Sequence, residues 1–134
     1  MAVLHCVITS PEGLIFEGDA RFIVVPAVDG EMGVLPRHAP MIAALGGGEI
    51  RVEPAAGGGR KRFFVDGGFV QVLKNQVTLL GTEVEPLDGM ERAKAQARLD
   101  DLLRSSPAAG ANLEERDAFQ EKVRVSRRRL KLVG

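Results

Sequence analysis

Phe69-Val70-Gln71-Val72-Leu73-Lys74-Asn75-Gln76-Val77-Thr78-Leu79-Leu80 reads as two short strands joined by a turn at Lys74-Asn75. Aromatic and β-branched side chains suit a pleated, half-buried surface, and the two polar residues interrupt them where the chain must reverse. The same pattern extends back to the N-terminus. Strands are expected at Leu4–Thr9, Leu14–Glu17, Arg21–Val25, Gly33–Leu35, Met41–Leu45, Ile50–Glu53 and Lys61–Val65, besides Phe69–Leu73 and Gln76–Leu80. The turns between them fall at Ser10-Pro11-Glu12-Gly13, Asp29-Gly30, Gly46-Gly47-Gly48 and Gly57-Gly58-Gly59. So many short strands do not form one flat sheet, and closing on themselves as a sandwich or barrel removes exposed edges. Phe22–Val25 is apolar throughout, which suits a strand covered on both faces or one whose outer face meets a partner.

Beyond Leu80 the hydrophobic period changes. Asp88 with Glu91 three residues later has the form of a capping box, and the helix it starts is expected to run to about Ser105. Its apolar stripe is Met90, Ala93, Ala97, Leu99, Leu102 and Leu103. Pro107 and Gly110 break the chain, Asn112 with Glu115 repeats the cap, and Leu113, Phe119, Val123 and Leu130 form a second stripe. The connection is short enough to make the helices antiparallel neighbours. The fold class is therefore an all-β sandwich or barrel over residues 1–86, followed by a two-helix hairpin over residues 87–134.

The 134 residues carry 18 cations and 18 carboxylates, but the zero net charge is unevenly divided. Residues 1–86 hold 7 Lys and Arg against 10 Asp and Glu, and residues 87–134 hold 11 against 8. Lys122, Arg124, Arg127, Arg128, Arg129 and Lys131 concentrate the positive charge at the C-terminus with no acid among them. No apolar run approaches the 18 to 20 or so residues that span a bilayer, and no secretory leader is apparent, so a cytoplasmic location is expected. Cys6, the single cysteine, lies among Leu4 and Ile8 and reads as a small buried hydrophobe.

Catalytic chemistry is poorly supplied. His5 alternates with the apolar residues of the first strand and reads as a surface residue; His38 lies in Pro36-Arg37-His38-Ala39-Pro40, pinned by two prolines. Neither has a partner set for a metal, and the glycine triplets lack phosphate-loop spacing, so no catalytic residue, metal or cofactor is expected. Without Trp or Tyr, stacking platforms for nucleic acid are scarce. A free-standing adaptor or RNA-binding module with a basic helical tail is the alternative to a subunit that docks onto other proteins.

One segment is far more specific. Val24-Val25-Pro26-Ala27-Val28-Asp29-Gly30-Glu31-Met32-Gly33-Val34-Leu35-Pro36-Arg37-His38-Ala39-Pro40 resembles the signature stretch of the epsilon subunits of F-type, rotary, proton-translocating ATP synthases. Pro11-Glu12-Gly13, Phe16-Glu17-Gly18 and Gly67-Gly68-Phe69-Val70 agree with it. The resemblance covers essentially the whole chain and implies a ten-stranded β-sandwich with a helical hairpin. It further implies a non-catalytic subunit of the central stalk on the cytoplasmic face of a bacterial inner membrane. Its β-domain would clasp the gamma subunit and rest on the c ring, through a loop matching Glu31, Met32, Arg37 and His38. Its arm would extend toward alpha and beta and brake ATP hydrolysis through Lys122, Arg124, Arg127, Arg128, Arg129 and Lys131. Met32, an apolar residue between Glu31 and Gly33, is expected to face such a contact rather than water.

Two departures stand out. Ala27 and Arg37 replace a commoner glycine and a small or turn-forming residue. Some relatives bind ATP through an [I/L]-D-x-x-R-A motif, for which Asp88 and Arg92 are the matching pair. Here three residues separate them instead of two, which turns Arg92 by about 100° on a helix. That insertion argues against a nucleotide site, leaving Asp88 as an N-cap and Arg92 as a solvated helix residue.

Overall fold

The computed structural model of the protein describes residues 2–88, 92–105 and 112–133. Six strands are formed: β1 (Leu4–Ser10), β2 (Gly13–Ala27), β3 (Gly30–Val34), β4 (Met41–Pro54), β5 (Lys61–Leu73) and β6 (Gln76–Pro86). Two helices follow, α1 (Arg92–Arg104) and α2 (Leu113–Leu132). The chain divides into two compact units, Met1–Asp88 and Gly89–Gly134.

The strands run in the order β1-β6-β5-β4-β2-β3, and β1 also pairs with β2, so the sheet closes on itself. All pairings are antiparallel except β1 with β6. The β5–β6 hairpin has the register that its sequence demands: Leu73 opposes Gln76, and Lys74 and Asn75 both take positive φ (49° and 61°), the twist that a two-residue hairpin favours.

Strand count is where the sequence reading needs correction. Gly46-Gly47-Gly48 is no turn but lies inside β4, and Gly67-Gly68 lies inside β5, so several pairs of expected short strands merge into long ones. β6 likewise continues to Pro86 rather than ending at Leu80. The long strands pass through these glycines without losing their partners: Leu45 pairs with Gly68 and Gly47 with Asp66, while Gly68 pairs with Gly81. At Gly68 the φ is +123° and a Cβ would stand 1.9 Å from the Leu80 carbonyl oxygen, so only glycine fits. The second triplet, Gly57-Gly58-Gly59, is the turn it was expected to be.

Alternate residues of the strands meet inside. Leu4, Cys6 and Ile8 of β1, Ile23 and Val25 of β2, Val70 and Val72 of β5, and Val77 and Leu79 of β6 are all buried in one cluster, with Phe16 against Phe63 at 5.5 Å between ring centres. Removing this much apolar surface from water is the dominant stabilising term. Burial pushes the Cys6 thiol up to about 12, consistent with its role as a small hydrophobe.

In the helical unit, Asn112 is the N-cap of α2: its side-chain oxygen accepts the Glu115 N–H at 2.8 Å, as its spacing requires. The α1 stripe is rotated from the one expected, whereas in α2 Phe119, Val123 and Leu130 turn inward as expected and only Leu113 does not. In α1 the buried residues are Ala95 and Leu99, with Leu102 half-buried, whereas Ala93, Ala97 and Leu103 are exposed. In α2, Val125, Arg129 and Val133 form a buried row at four-residue spacing beside Phe119 and Val123, while Leu113 is exposed. Alanines contribute little to a hydrophobic period, so they misdirected it. Met90, Glu91, Pro107 and Gly110 lie outside the described residues.

Candidate partner-docking surfaces

The stretch from Glu31 to His38 starts on β3 and ends in the loop after it. Glu31 pairs with Arg51 of β4 at 2.7 Å, reaching across β2. Met32, expected to face a partner contact, instead opposes Val25 and packs half-buried against the sandwich core, because on β3 its side chain falls on the inward side of the pleat. Arg37 adopts φ +71°, the conformation for which a small or turn-forming residue is commoner, and its N–H donates to Asn75 Oδ1 at 2.7 Å. The His38 N–H donates to the Leu35 carbonyl at 3.1 Å, and its ring Nδ1 donates to the Ala39 carbonyl at 2.7 Å. Asn75 also accepts the His5 N–H on its own carbonyl at 2.8 Å. One asparagine therefore ties the loop, the β5–β6 turn and the start of β1 into a single fixed end. Arg37 and His38 belong to that end, while Glu31 is held elsewhere by Arg51.

A second surface was missed by sequence reasoning. Side chains facing outward on β4, β5, β6, β1 and β2 fall into adjacent rows: Ala44, Phe69, Leu80, Thr9 and Leu14 in one, Ile42, Gln71, Thr78, Val7 and Glu17 in the next. Ile42 is 71% exposed, Leu14 60%, Phe69 58% and Leu80 56%. Open grooves of about 350 and 370 Å3 lie beside Phe69 with Leu80 and beside Ile42 with Leu73. Apolar side chains gathered across five strands are more than the scattered exposures of an ordinary surface. The signal was present in the alternation, since inward Val70, Val72, Val77 and Leu79 leave Phe69 and Leu80 outward.

At one border of this face His5 sits between two carboxylates, with Nε2 2.8 Å from Glu17 and Nδ1 3.2 Å from Asp19. The hydrogen bonds that its ring donates to Asp19 and then to Glu17 raise its pKa.

The end of the β-unit is tied back to β5. The Leu87 N–H donates to the Arg62 carbonyl at 2.9 Å, and the Asp88 carboxylate accepts the Arg62 N–H at 3.4 Å. The Arg62 side chain forms a two-pronged pair with Glu49, at 2.9 and 3.0 Å, which holds the Glu49 carboxyl below its usual range. Arg92 is engaged at another place: its Nη1 donates to the carbonyls of Leu130 and Val133. The structure thus gives Asp88 and Arg92 separate partners.

Of the C-terminal cations, Lys122, Arg124, Arg127, Arg128 and Lys131 are exposed, and Arg124 pairs with Glu121. Arg129, expected to stand with them, is instead only 5% exposed, because it falls in the inward row with Val125 and Val133. Among the described residues no helix is long and apolar enough to cross a membrane, and no group of three or more metal-ligating side chains gathers.

A closed β-sandwich followed by a helical hairpin is the architecture of a known class. Residues 3–87 match the family model described as the ATP synthase, Delta/Epsilon chain, beta-sandwich domain. The ATP synthase epsilon chain of Rhodopirellula baltica is 33% identical over 121 residues, covering 90% of this chain and 93% of its own length. That of Alkalilimnicola ehrlichii is 39% identical over 97 residues, covering 72% and 68%. The chain belongs to the epsilon-subunit family of F-type ATP synthases. Its fold is also similar to a chain in the Euglena gracilis mitochondrial ATP synthase, OSCP/F1/c-ring, with TM-score 0.72, 22% identity and coverage of 96% and 79%. A chain of the Tetrahymena thermophila mitochondrial ATP synthase central stalk and c-ring gives TM-score 0.66 at 12% identity, covering 98% and 96%.

Proposed function

We propose that this chain is a non-catalytic rotor subunit, seated in the central stalk at the cytoplasmic face of the membrane, that transmits proton-driven rotation of the c ring to the catalytic head. The observation that carries this reading is the outward apolar face containing Ile42, Phe69, Leu80 and Leu14 on a closed, densely packed barrel. A torque-bearing part must be stiff and must not slip. Close packing supplies stiffness, and covering each large apolar side chain contributes about 1.5–3 kcal/mol of grip. This face docks onto the gamma subunit. The end tied together by Asn75, bearing Arg37 and His38, meets the polar loops of the c ring, and Glu31 contributes through its neighbouring strand. Exposed cations of α2 reach acidic segments of alpha and beta and slow ATP hydrolysis. Asp88 and Arg92 are each engaged by other partners, which supports a role without bound nucleotide.

The test is a pull-down on purified gamma with the Phe69→Ser/Leu80→Ser chain, whose altered side chains lie outside the core. Its retention is expected to fall strongly while thermal unfolding stays near the parental value. Parental retention would overturn the docking assignment. The braking role is tested separately by replacing Arg124, Arg127 and Arg128 with Ala, leaving buried Arg129 intact. The assembled enzyme is expected to hydrolyse ATP faster, and parental rates across a salt series would remove the brake.

A further inference from the structure

Arg92 opens α1, and its Nη1 lies 3.2 Å from the carbonyl oxygen of Leu130 and 3.3 Å from that of Val133. Both acceptors belong to the end of α2, where the last carbonyls have no partner within their own helix. Many helices close that end with a residue in the left-handed conformation, but Val133, the C-cap here, is extended at φ −86° and ψ 126°. Val133 itself is buried, at 4% exposure, while the Arg92 that serves this terminus is exposed. The cation meets the negative end of the helix dipole, where attraction adds to hydrogen bonding. One guanidinium from the first residue of α1 thereby completes the last turn of α2.

We propose that Arg92 is the latch of the hairpin: it pins the C-terminal end of α2 to the start of α1, so that the hairpin closes with no bound ligand. Straightening the arm requires both bonds to break, and an anion that captured the guanidinium would compete with closure rather than promote it. The proposal rests on the contact between the two helices and does not depend on the brake.

The test uses the full chain with spin labels at Lys94→Cys and Lys131→Cys, both exposed positions, since the buried thiol of Cys6 stays unlabelled. In the parental background one narrow distance is expected. Arg92→Ala should lose that narrow population while helical circular dichroism is kept, because alanine favours helix. Arg92→Lys, which retains a cationic donor, should recover part of it. Adding ATP or inorganic pyrophosphate should leave the parental distance narrow or broaden it. An unchanged narrow distance in Arg92→Ala overturns the latch. So does equal broadening in both variants, which would mean that Arg92 acts through packing, and so does nucleotide that sharpens the distance through Arg92.

Discussion

His5 has carboxylates at both ring nitrogens, and a carboxylate can only accept. A neutral imidazole can serve one of them, so the arrangement favours the doubly protonated ring. A raised folded-state pKa means that the stabilisation is fully present below the ordinary value of 6.5 and is lost as pH rises through the folded value. Stability of the parental chain should therefore decline on the alkaline side of 6.5, and His5→Gln should flatten that decline. Urea midpoints measured at pH 6 and pH 8 check this, and an identical pH slope in the two chains would refute it. At this scale the sequence was partly legible. Alternation with Leu4 and Cys6 put His5 on the surface, but its partners could not be read, because they lie on a strand whose register is set by a bulge between Ile8 and Thr9. Arg129 was misread for a related reason: six cations in a short run look alike, and only the helix period tells which one turns inward.

At the scale of elements, glycine decided what became a strand. Clusters of glycine announce turns in a sequence, and between β4 and β5 one does. Inside β4 and β5 the same residue lets neighbouring strands approach too closely for a side chain. Gly68→Ala should cost about 3 kcal/mol or more, since the added methyl meets the Leu80 backbone and the positive φ is unfavourable as well. Gly33→Ala, with open space and no positive φ, should stay within about 0.5 kcal/mol of the parent. Denaturant titration of both separates the cases, and similar midpoints would show that the strands can part at this point. Loops with two flanking prolines and helices with Asn caps were legible because their signals are local. The outward apolar rows of the barrel were legible only one strand at a time, since they join into a face only once five strands are in register.

At the scale of the whole molecule, the two units differ in how their cores are made. The β-unit gathers buried side chains from every strand around one centre, whereas each helix of the arm buries only a few. Residues 1–88 expressed alone should unfold in a single cooperative transition with the full chain's β-sheet signal, and should keep the Leu87 and Asp88 bonds to Arg62. Ending at 88 rather than earlier retains those bonds. A broad, non-cooperative transition would show that the arm is needed to complete the fold.

The parallel ladder between β1 and β6 carries a consequence for how the chain is made. Thr9 and Leu79, bonded across it, are 70 residues apart in sequence, so the first of the six strands waits for the last before its second edge is covered. Long separations of this kind slow folding, because chain entropy must be given up before the contact forms. Until then β1 can hold only its hairpin with β2, and the nascent chain shows an open strand edge to whatever is nearby. Synthesis of this subunit therefore passes through a window of vulnerability to misassociation that closes only once the residues of β6 have cleared the exit tunnel.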